Sequence, residues 1–471
     1  MTNDKRSRLA IPLLLVAALA VAGCGGSMSN GTIQSANSGS VFVVGTDAPL
    51  ASVTSFSAQI NSLVLTGSGG STPSLISGTP TVDFARFNGL QTLLDMNSVP
   101  AGTYTGVTIT LGAATIGYLD TSTAHPSIST QAATLSSSTV NITLNKPLVV
   151  TKGGVPVGLR VDFDLAQSIQ VDGSGNFTGT VNPTFDIRSV ARGDAGAHID
   201  EFIAGVLNVN AAGQSFVVQG PHGEQFTIKV DGTTEWDGNA SLSTLNTNSV
   251  VQVSGQFDAA DQTLDADEVA VLTDTGFFAT GQLTYVTPSS GPATSFDLYV
   301  RGLEPTSTGL KLGQIATVNL SGNEKYFIYW MHNPFTQFLF NSSALTAGQA
   351  VAVGGPASGA ANASNISIAR IHLRNWGFNG TIVPASQNTS NGTFQMKIDG
   401  FAGVLVPQNV TVYLGQDSDF RYGMGKFGDL TNSTHIRVVG LLLKNPTSGQ
   451  LVLLARHVDG LNFTDFSTFP F

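Results

Sequence analysis

The amino-acid sequence predicts an all-β protein, with an N-terminal β-sandwich followed by three small β-barrel-like repeat domains. Charged residues make up only 11% of the 471 residues, against roughly 25% in ordinary soluble proteins. Ser, Thr, Asn and Gln carry the polar surface instead, and these residues suit strands and turns better than long helices. Short apolar stretches separated by turn residues recur along the chain, and one strand pattern recurs three times after residue 200.

The composition also limits the class of partner. Hydrophobic residues reach 41% of the chain, which is enough to build buried cores and is not typical of a disordered protein. The net charge is −10, and it becomes −12 without the first 23 residues. A moderately acidic surface without a basic stripe disfavours nucleic acid and other polyanions. The sequence therefore excludes a coiled coil, a disordered tail and a basic nucleic-acid binder.

The first 24 residues are typical of a secretion signal that ends in a lipidation site. Lys5, Arg6 and Arg8 precede an apolar run of about 14 residues at 9–22. This run is shorter than the roughly 20 residues of a membrane-spanning helix, so a transmembrane anchor is the weaker alternative. Cys24 follows small residues and is the only cysteine in the chain. A disulfide within the chain is therefore impossible, and lipidation best explains the thiol.

This N-terminus resembles the bacterial lipoprotein signal, in which small residues precede a modified cysteine. The resemblance implies a signal peptide over residues 1–23 and a lipid anchor at Cys24, whose acyl chains would hold the protein on a membrane. By the same resemblance, Gly25 favours the outer membrane of a diderm bacterium. Residues 24–40 are rich in Gly, Ser and Asn and predict a flexible tether.

The first folded region is predicted over residues 41–195. Its short strands are separated by turn residues, and their number and spacing favour a β-sandwich. A short helical turn is predicted near residues 90–96. The predicted strands lie at 41–44, 57–65, 104–111, 139–144, 157–165 and 177–181.

Four short motifs lie in this region in a characteristic order. They are Thr-Asp-Ala-Pro at 46–49, Val-Asp-Phe at 82–84, Pro-Ala-Gly-Thr-Tyr at 100–104 and Val-Asp-Phe-Asp at 161–164. Their order and spacing, over roughly residues 40–192, resemble the bacterial lipoprotein family DUF4382, a domain of unknown function. The resemblance implies a transthyretin-like sandwich and a lipoprotein, and it implies no chemistry.

After residue 200 one pattern recurs three times. A Gly opens each unit, a strand led by Phe follows, an alternating apolar strand ends in Gly, and a last strand contains Ala. The opening glycines lie 76 and 99 residues apart, so the units differ in loop length. The residues of the pattern are Gly205, Phe216, Gly255 and Ala266; Gly281, Phe296, Gly355 and Ala369; and Gly380, Phe394, Gly440 and Ala455.

This layout predicts duplicated modules over residues 200–275, 276–375 and 376–462, of which the second is enlarged. Its glycines are expected where two backbones approach closely or where a strand bends. The layout resembles the small β-barrel repeats of DUF5666, a second domain of unknown function.

The densest aromatic segment of the chain lies in the enlarged second module, over residues 326–340. Aromatic faces stack on sugar rings and dominate protein interfaces, which makes these residues candidates for binding. The alternative, which we favour, is that the rings fill the core of a widened barrel. The candidate binding residues are Tyr326, Tyr329, Trp330, His332 and Phe335.

The acidic clusters are more typical of turns and strand faces than of a metal site. Calcium needs six to eight oxygens, usually from a tight loop, and no cluster has that spacing. Asp162 and Asp164 alternate with apolar residues, which predicts a half-buried strand whose acids face solvent. Asp258 and Asp261 are expected in a hairpin turn. Asp47 is expected to cap the turn after the first strand, with a ligand role at the sandwich end as the alternative.

The sequence predicts no catalytic residue, no metal and no cofactor. Its seven histidines lack metal-binding spacing, and it contains no nucleophile elbow or phosphate-binding loop. We expect a lipid-anchored cell-envelope protein with a non-catalytic binding or scaffolding role, whose strung-out modules meet an envelope protein or a glycan. The alternatives are a polysaccharide-processing envelope enzyme and a structural spacer on the cell surface.

Overall fold

A computed structural model gives the chain an all-β fold, which confirms the predicted fold class. The predicted signal peptide and Cys24 lie outside the residues that the structure describes. Those residues are 37–48, 53–68, 71–87, 92–120, 125–172, 177–190, 197–219, 225–236, 240–273, 276–304, 309–328, 339–398, 408–421, 424–431, 435–445 and 448–460.

The described residues form strands β1 to β29. Helix is limited there to α1 (Leu165–Ser168) and to 3₁₀ turns at Phe84–Arg86, Leu242–Thr244, Ser342–Ala344, Ala357–Ala360 and Phe427–Asp429. In this part of the chain no helix has the length and apolar character needed to cross a membrane. The strands are β1 (Ser38–Ala48), β2 (Val53–Gly67), β3 (Thr81–Asp83), β4 (Thr92–Pro100), β5 (Gly102–Asp120), β6 (Ser127–Leu135), β7 (Thr139–Val150), β8 (Val157–Asp164), β9 (Ile169–Val171), β10 (Phe177–Val181), β11 (Phe185–Val190), β12 (His198–Asn210), β13 (Ser215–Gln219), β14 (Gln225–Lys229), β15 (Glu235–Trp236), β16 (Val250–Asp258), β17 (Thr263–Thr273), β18 (Phe277–Thr287), β19 (Ser295–Glu304), β20 (Ile315–Asn319), β21 (Lys325–Ile328), β22 (Ala350–Gly355), β23 (Ile366–Ser367), β24 (Arg370–Arg374), β25 (Trp376–Ile382), β26 (Thr393–Ile398), β27 (Asn409–Arg421), β28 (His435–Lys444) and β29 (Leu451–Gly460).

Strands β1 to β11 form the N-terminal sandwich. A four-stranded sheet has the order β11-β8-β1-β4, and a seven-stranded sheet has the order β3-β2-β5-β6-β10-β9, with β7 also paired to β5. Val41, Val161 and Phe163 of the first sheet share one core with Phe56 and Ile109 of the second. This core excludes water between the two sheets, which is the usual basis of a sandwich.

One local prediction in the sandwich is wrong. Residues 92–96 do not form a helical turn, because β4 begins at Thr92 and pairs antiparallel with β1. Sheet pairing determines the backbone conformation there more strongly than local preference does. β1 continues to Ala48, with Asp47 opposite Phe163 of β8, and the cap predicted for Asp47 stays a prediction because its side chain lies outside the description.

Strands β12 to β17 form the first barrel. Its sheet has the order β14-β13-β12-β16-β17-β15, and parallel pairing of β14 with β17 closes the ring. The third barrel has the same plan, because β25-β26-β27-β29-β28 is closed and β27 runs parallel to β29. The predicted repetition of barrel-like units is therefore confirmed.

The second barrel follows this plan with a divided last strand. Its sheet has the order β21-β24-β22-β18-β19-β20-β23. β23 pairs parallel with β20, while β24 pairs antiparallel with β22, so the two short strands together occupy the place of β17 or β29. Ala369 therefore lies between two strands instead of within one, and its amide donates to the carbonyl of Gly354.

Gly255, Gly281, Gly355, Gly380 and Gly440 of the recurring pattern lie where two backbones approach closely, as predicted. A Cβ atom at Gly255 would collide with the carbonyl oxygen of Asp265, and one at Gly440 would collide with that of Leu454. A β-bulge immediately precedes each of these two glycines, so the strand bends there. At Gly255 the absence of a side chain thus allows the barrel wall to turn.

The modules are packed together, which corrects the expectation that they are strung out. Phe42 and Val44 lie on the face of β1 opposite the sandwich core, and they share a second core with Phe257 of the first barrel. Phe42 and Phe257 form an edge-to-face pair with ring centroids 5.6 Å apart. Residues of the third barrel, such as Leu441, likewise pack into the core of the second.

Strand β8 shows the consequence for polar residues. Val161 and Phe163 face the sandwich core, as their alternation predicts. Asp162 and Asp164 were expected to face solvent, but they are only 6% and 7% exposed. The expectation is wrong because the other modules cover the outer face of this sheet and supply Arg437 beside Asp162.

Candidate functional site

Two polar regions lie between the modules, one buried and one open to solvent. The buried region, here called the polar junction, lies where the sandwich meets the first and third barrels. The polar junction consists of Arg160, Asp162, Asp164, Asp200, Arg437, Arg456, His457 and Asp459, each at most 7% exposed.

Arg437 joins the sandwich to the third barrel. Its Nη2 lies 3.7 Å from Oδ2 of Asp162, which also accepts a hydrogen bond of 3.1 Å from Nη2 of Arg160. The Nε of Arg437 donates to Oδ1 of Asn379. Arg437 is only 2% exposed, so its charge is compensated by these groups and not by water.

Burial controls the protonation of the acids in the polar junction. It raises the pKa of Asp459 to about 6, although Arg437 and Arg421 favour the charged carboxylate. It also raises the pKa of Asp164 to about 6, where the carboxylate accepts a hydrogen bond from the amide of Gln167 and caps α1. The pKa of His457 is held well below its usual value by burial and by neighbouring arginines.

His198 bridges two aspartates at the edge of the polar junction. Its Nδ1 lies 3.2 Å from Oδ1 of Asp200, and its Nε2 lies 3.0 Å from Oδ2 of Asp267. Burial opposes the charged imidazolium, but the bonds to both carboxylates raise the pKa of His198 to about 8. Burial likewise opposes the charged form of Asp200, yet His198 and Arg456 hold its pKa well below the usual value.

Glu201 connects the first barrel to the segment that joins the second and third barrels. Its Oε2 accepts a 2.7 Å bond from Nη2 of Arg374, and its Oε1 accepts a 2.7 Å bond from the side-chain amide of Asn375. The φ angle of Glu201 is 49°, within the left-handed region that favours glycine. Strained backbone of this kind persists only where surrounding contacts hold it in place.

Arg301 connects the second barrel to the sandwich. Its Nη1 donates a 3.0 Å hydrogen bond to the carbonyl oxygen of Ala85. Its guanidinium also lies over the rings of Trp376 and Tyr299, 4.8 Å and 5.1 Å from their centroids. Arginine suits such joints because its planar group can stack on rings and donate in its own plane at the same time.

These buried contacts are suited to holding the modules in a fixed arrangement. Apart from Asp267, whose side chain is 61% exposed, their charged groups face one another and have little contact with solvent, which leaves them poorly accessible to a substrate. In the described residues, no group of three or more His, Cys, Asp or Glu is placed to hold a metal ion.

The second polar region, here called the polar cleft, lies between the sandwich and the second barrel. It is open to solvent and has a volume of about 510 Å³. Its walls come from the start of β6, the end of β18, and strands β19 and β20 with the loop before β20. The lining residues are His125, Pro126, Ser127, Ile128, Thr287, Ser295, Asp297, Gly313, Gln314, Ile315 and Thr317.

A histidine and an aspartate face each other across the polar cleft. Nδ1 of His125, on the sandwich, lies 3.4 Å from Oδ2 of Asp297 on the second barrel. The other carboxylate oxygen of Asp297 accepts a 2.8 Å bond from the hydroxyl of Thr317. The His125 side chain is 68% exposed and that of Asp297 is 11% exposed. The imidazole also rests on the ring of Tyr285, with centroids 4.3 Å apart.

Of the predicted site residues, the structure describes Tyr326 and the backbone of Asp47, and neither residue lines the polar cleft. Tyr326 is half-buried in β21, packs edge-to-face on Phe340 and lies against the core of the second barrel. Burial raises the pKa of its hydroxyl to about 12. Asp47 lies in β1, and its side chain is outside the description. The candidates outside the described residues are Cys24, Tyr329, Trp330, His332 and Phe335.

Sequence reasoning missed the residues that line the polar cleft. His125 and Asp297 are 172 positions apart, and neither belongs to a spacing motif. Only the packing of the sandwich against the second barrel brings them together. The available signal was weak: Asp297 interrupts an apolar strand between Phe296 and Leu298, both of which are buried.

Comparison with known families accounts for part of the chain. Residues 38–178 match the family described as Domain of unknown function (DUF4382), and residues 205–270 match the one described as Domain of unknown function (DUF5666). The chain carries a DUF4382 domain followed by a DUF5666 domain. The resemblance found in the sequence is thus confirmed for both families and for their order.

The two matches end within the observed modules. The DUF4382 match stops at the start of β10, and the DUF5666 match covers most of the first barrel. The second and third barrels, which share the strand order of the DUF5666 domain, lie outside both matches. The polar cleft therefore combines a wall from the DUF4382 domain with a wall from a barrel that neither match covers.

No curated protein matches the chain. Among solved structures, one similar chain is described as drosophila Unr CSD456; it is 9% identical, and the match covers 56% of this chain and 97% of that one, with a TM-score of 0.14. Another is a DUF4876 family protein from Bacteroides thetaiotaomicron VPI-5482, 9% identical, with coverage of 91% and 98% and a TM-score of 0.09. At these TM-scores neither similarity informs fold or function.

Proposed function

We propose that this protein is a lipid-anchored, non-catalytic scaffold of the bacterial cell envelope, held on the outer membrane through Cys24. The observation that carries the scaffolding role is the packing of all four modules against one another. Arg437 and Arg301 link the sandwich directly with the third and second barrels, and Glu201 links the first barrel with the second. A body fixed in this way can present a surface at a constant distance from its anchor.

The anchoring half of the proposal is supported by the sequence. The basic start, the short apolar run and the small residues before the sole cysteine occur together and in the order of a lipoprotein signal. One acyl chain binds a membrane only marginally, whereas several chains on one cysteine give stable attachment. The low positive charge of the mature chain makes attraction to anionic lipid headgroups a poor alternative.

Membrane fractionation tests the anchor. We expect the wild-type protein to sediment with outer membranes and the Cys24→Ala variant to appear in the soluble fraction. Ser27→Ala is the matched control, because it alters the same segment without removing the thiol, and it should sediment like the wild type. Unchanged partitioning of Cys24→Ala would refute the lipid anchor.

The released Cys24→Ala protein also allows the fixed arrangement of modules to be tested by small-angle X-ray scattering. A compact body of about 420 residues has a radius of gyration of about 22 Å. We expect a value near this figure, with a small excess from the N-terminal segment. A clearly larger radius with the profile of linked beads would contradict the scaffold and favour separate, mobile modules.

A further inference from the structure

We propose that the polar cleft is a binding site for a neutral, polyhydroxylated ligand, namely a short stretch of uncharged polysaccharide. This site goes beyond the scaffolding role and does not depend on the lipid anchor. Its volume of about 510 Å³ falls within the range of small-molecule sites. Its open mouth suits a chain that continues beyond the bound units.

The polar groups of the polar cleft match the hydrogen-bonding capacity of sugar hydroxyls. The Asp297 carboxylate accepts, whereas the side chains of Ser127, Ser295 and Thr287 can both donate and accept. A sugar hydroxyl also donates one hydrogen bond and accepts others, so it can bond to every one of these groups. The lining also includes Gln314, whose side-chain amide oxygen can accept a hydrogen bond.

The apolar part of the polar cleft lining suits the C–H faces of a sugar ring. Pro126, Ile128 and Ile315 contribute hydrocarbon surface between the polar groups. The ring of His125, which is tilted by 48° against the ring of Tyr285, adds aromatic surface to the lining. Sugar rings expose C–H faces as well as hydroxyls, and such faces pack on apolar and aromatic side chains.

The charges in the polar cleft disfavour the other ligand classes. Asp297 and the net charge of −10 repel anionic ligands. A calcium ion needs six to eight oxygens and usually several carboxylates, whereas Asp297 is the one carboxylate among the described lining residues. A neutral ligand rich in hydroxyls avoids both difficulties.

The key acceptor is held in position before a ligand binds. Asp297 lies in β19 between β18 and β20, its Oδ1 is bonded to Thr317, and its backbone carbonyl accepts from the hydroxyl of Thr284. Its side chain is only 11% exposed, so little rotational freedom remains to be lost on binding. Preorganisation of this kind raises the affinity that a few hydrogen bonds can give.

The test uses the full mature chain carrying Cys24→Ala and measures binding to defined oligosaccharides. The probes are cellotetraose, maltotetraose and chitotetraose by saturation-transfer NMR and calorimetry, with tetragalacturonate as the anionic comparison. An array of neutral glycans widens the search. We expect at least one neutral saccharide to bind, and tetragalacturonate to bind at least tenfold more weakly than that saccharide.

Substitutions in the polar cleft test whether the saccharide binds there. Asp297→Asn should weaken it at least tenfold, and His125→Ala should weaken it several-fold. Asp231→Asn is the matched control, because this exposed carboxylate also accepts from a threonine hydroxyl, that of Thr233, but lies on the first barrel away from the polar cleft. The affinity of the Asp231→Asn variant for the saccharide should equal that of the Cys24→Ala protein. Because His125 is exposed, His125→Ala keeps the test valid even if Asp297→Asn does not fold.

Three outcomes would overturn the proposal: no neutral saccharide binds, the anionic probe binds more tightly, or binding survives both cleft variants unchanged. None of them affects the fractionation of Cys24→Ala or the scattering of the released protein. The polysaccharide site and the anchored scaffold can therefore fail independently.

Discussion

The polar junction and the polar cleft are built from the same residue types and differ mainly in their access to solvent. Each contains a histidine and at least one aspartate contributed by different modules. In the polar junction the charges are at most 7% exposed and are compensated by arginines. In the polar cleft the His125 side chain is 68% exposed, and only Asp297 is nearly covered.

This difference in access to solvent separates residues that hold the modules together from residues that can bind a ligand. A buried charge must be compensated inside the protein, since water cannot reach it, and the groups that compensate it are then committed to the fold. An exposed polar group leaves part of its hydrogen-bonding capacity to water, which a ligand can replace. We therefore expect changes in the polar junction to affect stability, and changes in the polar cleft to affect binding.

The largest effect is expected for Arg437→Met. This change removes one of the two arginines beside Asp162, which keeps Arg160, and one of those beside Asp459. Breaking a buried pair from one side typically destabilises by about 3–5 kcal/mol. Urea denaturation of the Cys24→Ala protein measures the loss. Combination with Asp162→Asn should recover part of it, because the carboxylate that faced Arg437 is then neutral.

Lys229→Met provides the matched control for a charged pair at the surface. The Nζ of Lys229 lies 2.9 Å from Oδ2 of Asp261, but the two side chains are 42% and 62% exposed. Pairs of this kind contribute about 0–1 kcal/mol. Equal losses for Arg437→Met and Lys229→Met would mean that burial does not distinguish the polar junction from the surface.

The sequence predicted the sheets much better than it predicted the junction. The repeated glycines indicated the barrel plan, because Gly255 and Gly440 mark close approach between neighbouring strands within one module. Such contacts depend on local sequence and on the geometry of a single sheet. The hairpin at Asp258 was predicted for the same reason and is observed, with the amide of Ala260 donating to its carboxylate.

Asp162 shows why the contacts between modules could not be predicted from the sequence. Alternation with Val161 and Phe163 correctly indicates which residues face the sandwich core. It cannot indicate whether another module covers the opposite face, because that depends on Arg437, more than 270 positions away. His125 and Asp297 pose the same difficulty, and a sequence without a spacing motif gives no signal for either contact.

A smaller effect on the unfolding free energy is expected when the pH rises through the pKa of His198. Its pKa is raised from 6.5 to about 8 by its bonds to Asp200 and Asp267, so the folded state holds the proton more tightly than the unfolded state does. This stabilisation is fully present below pH 6.5 and is lost as the pH rises through about 8. The shift corresponds to at most about 2 kcal/mol, measured as a fall in unfolding free energy between pH 6.5 and 8.5.

Other titrating groups act outside this window. Asp164 and Asp459, whose pKa values are raised to about 6, release their protons as the pH rises through about 6, so most of their contribution is already lost at pH 6.5. The pKa of His372 is lowered to about 4 by burial, so its contribution is lost only as the pH falls below 6.5. His198→Gln should therefore flatten the slope between pH 6.5 and 8.5. A slope that persists in this variant would assign the titration to another group.

The smallest effect on stability is expected in the polar cleft, for His125→Ala. The imidazole is mostly exposed, and Asp297 keeps its hydrogen bond to Thr317 when the histidine is removed. Substitutions of exposed side chains usually change the unfolding free energy by no more than about 0.5 kcal/mol. The same urea denaturation measures it beside Arg437→Met. A loss of several kcal/mol would show that His125 holds the sandwich to the second barrel as the arginines do, and the polar cleft would then be a joint instead of a site left open for a ligand.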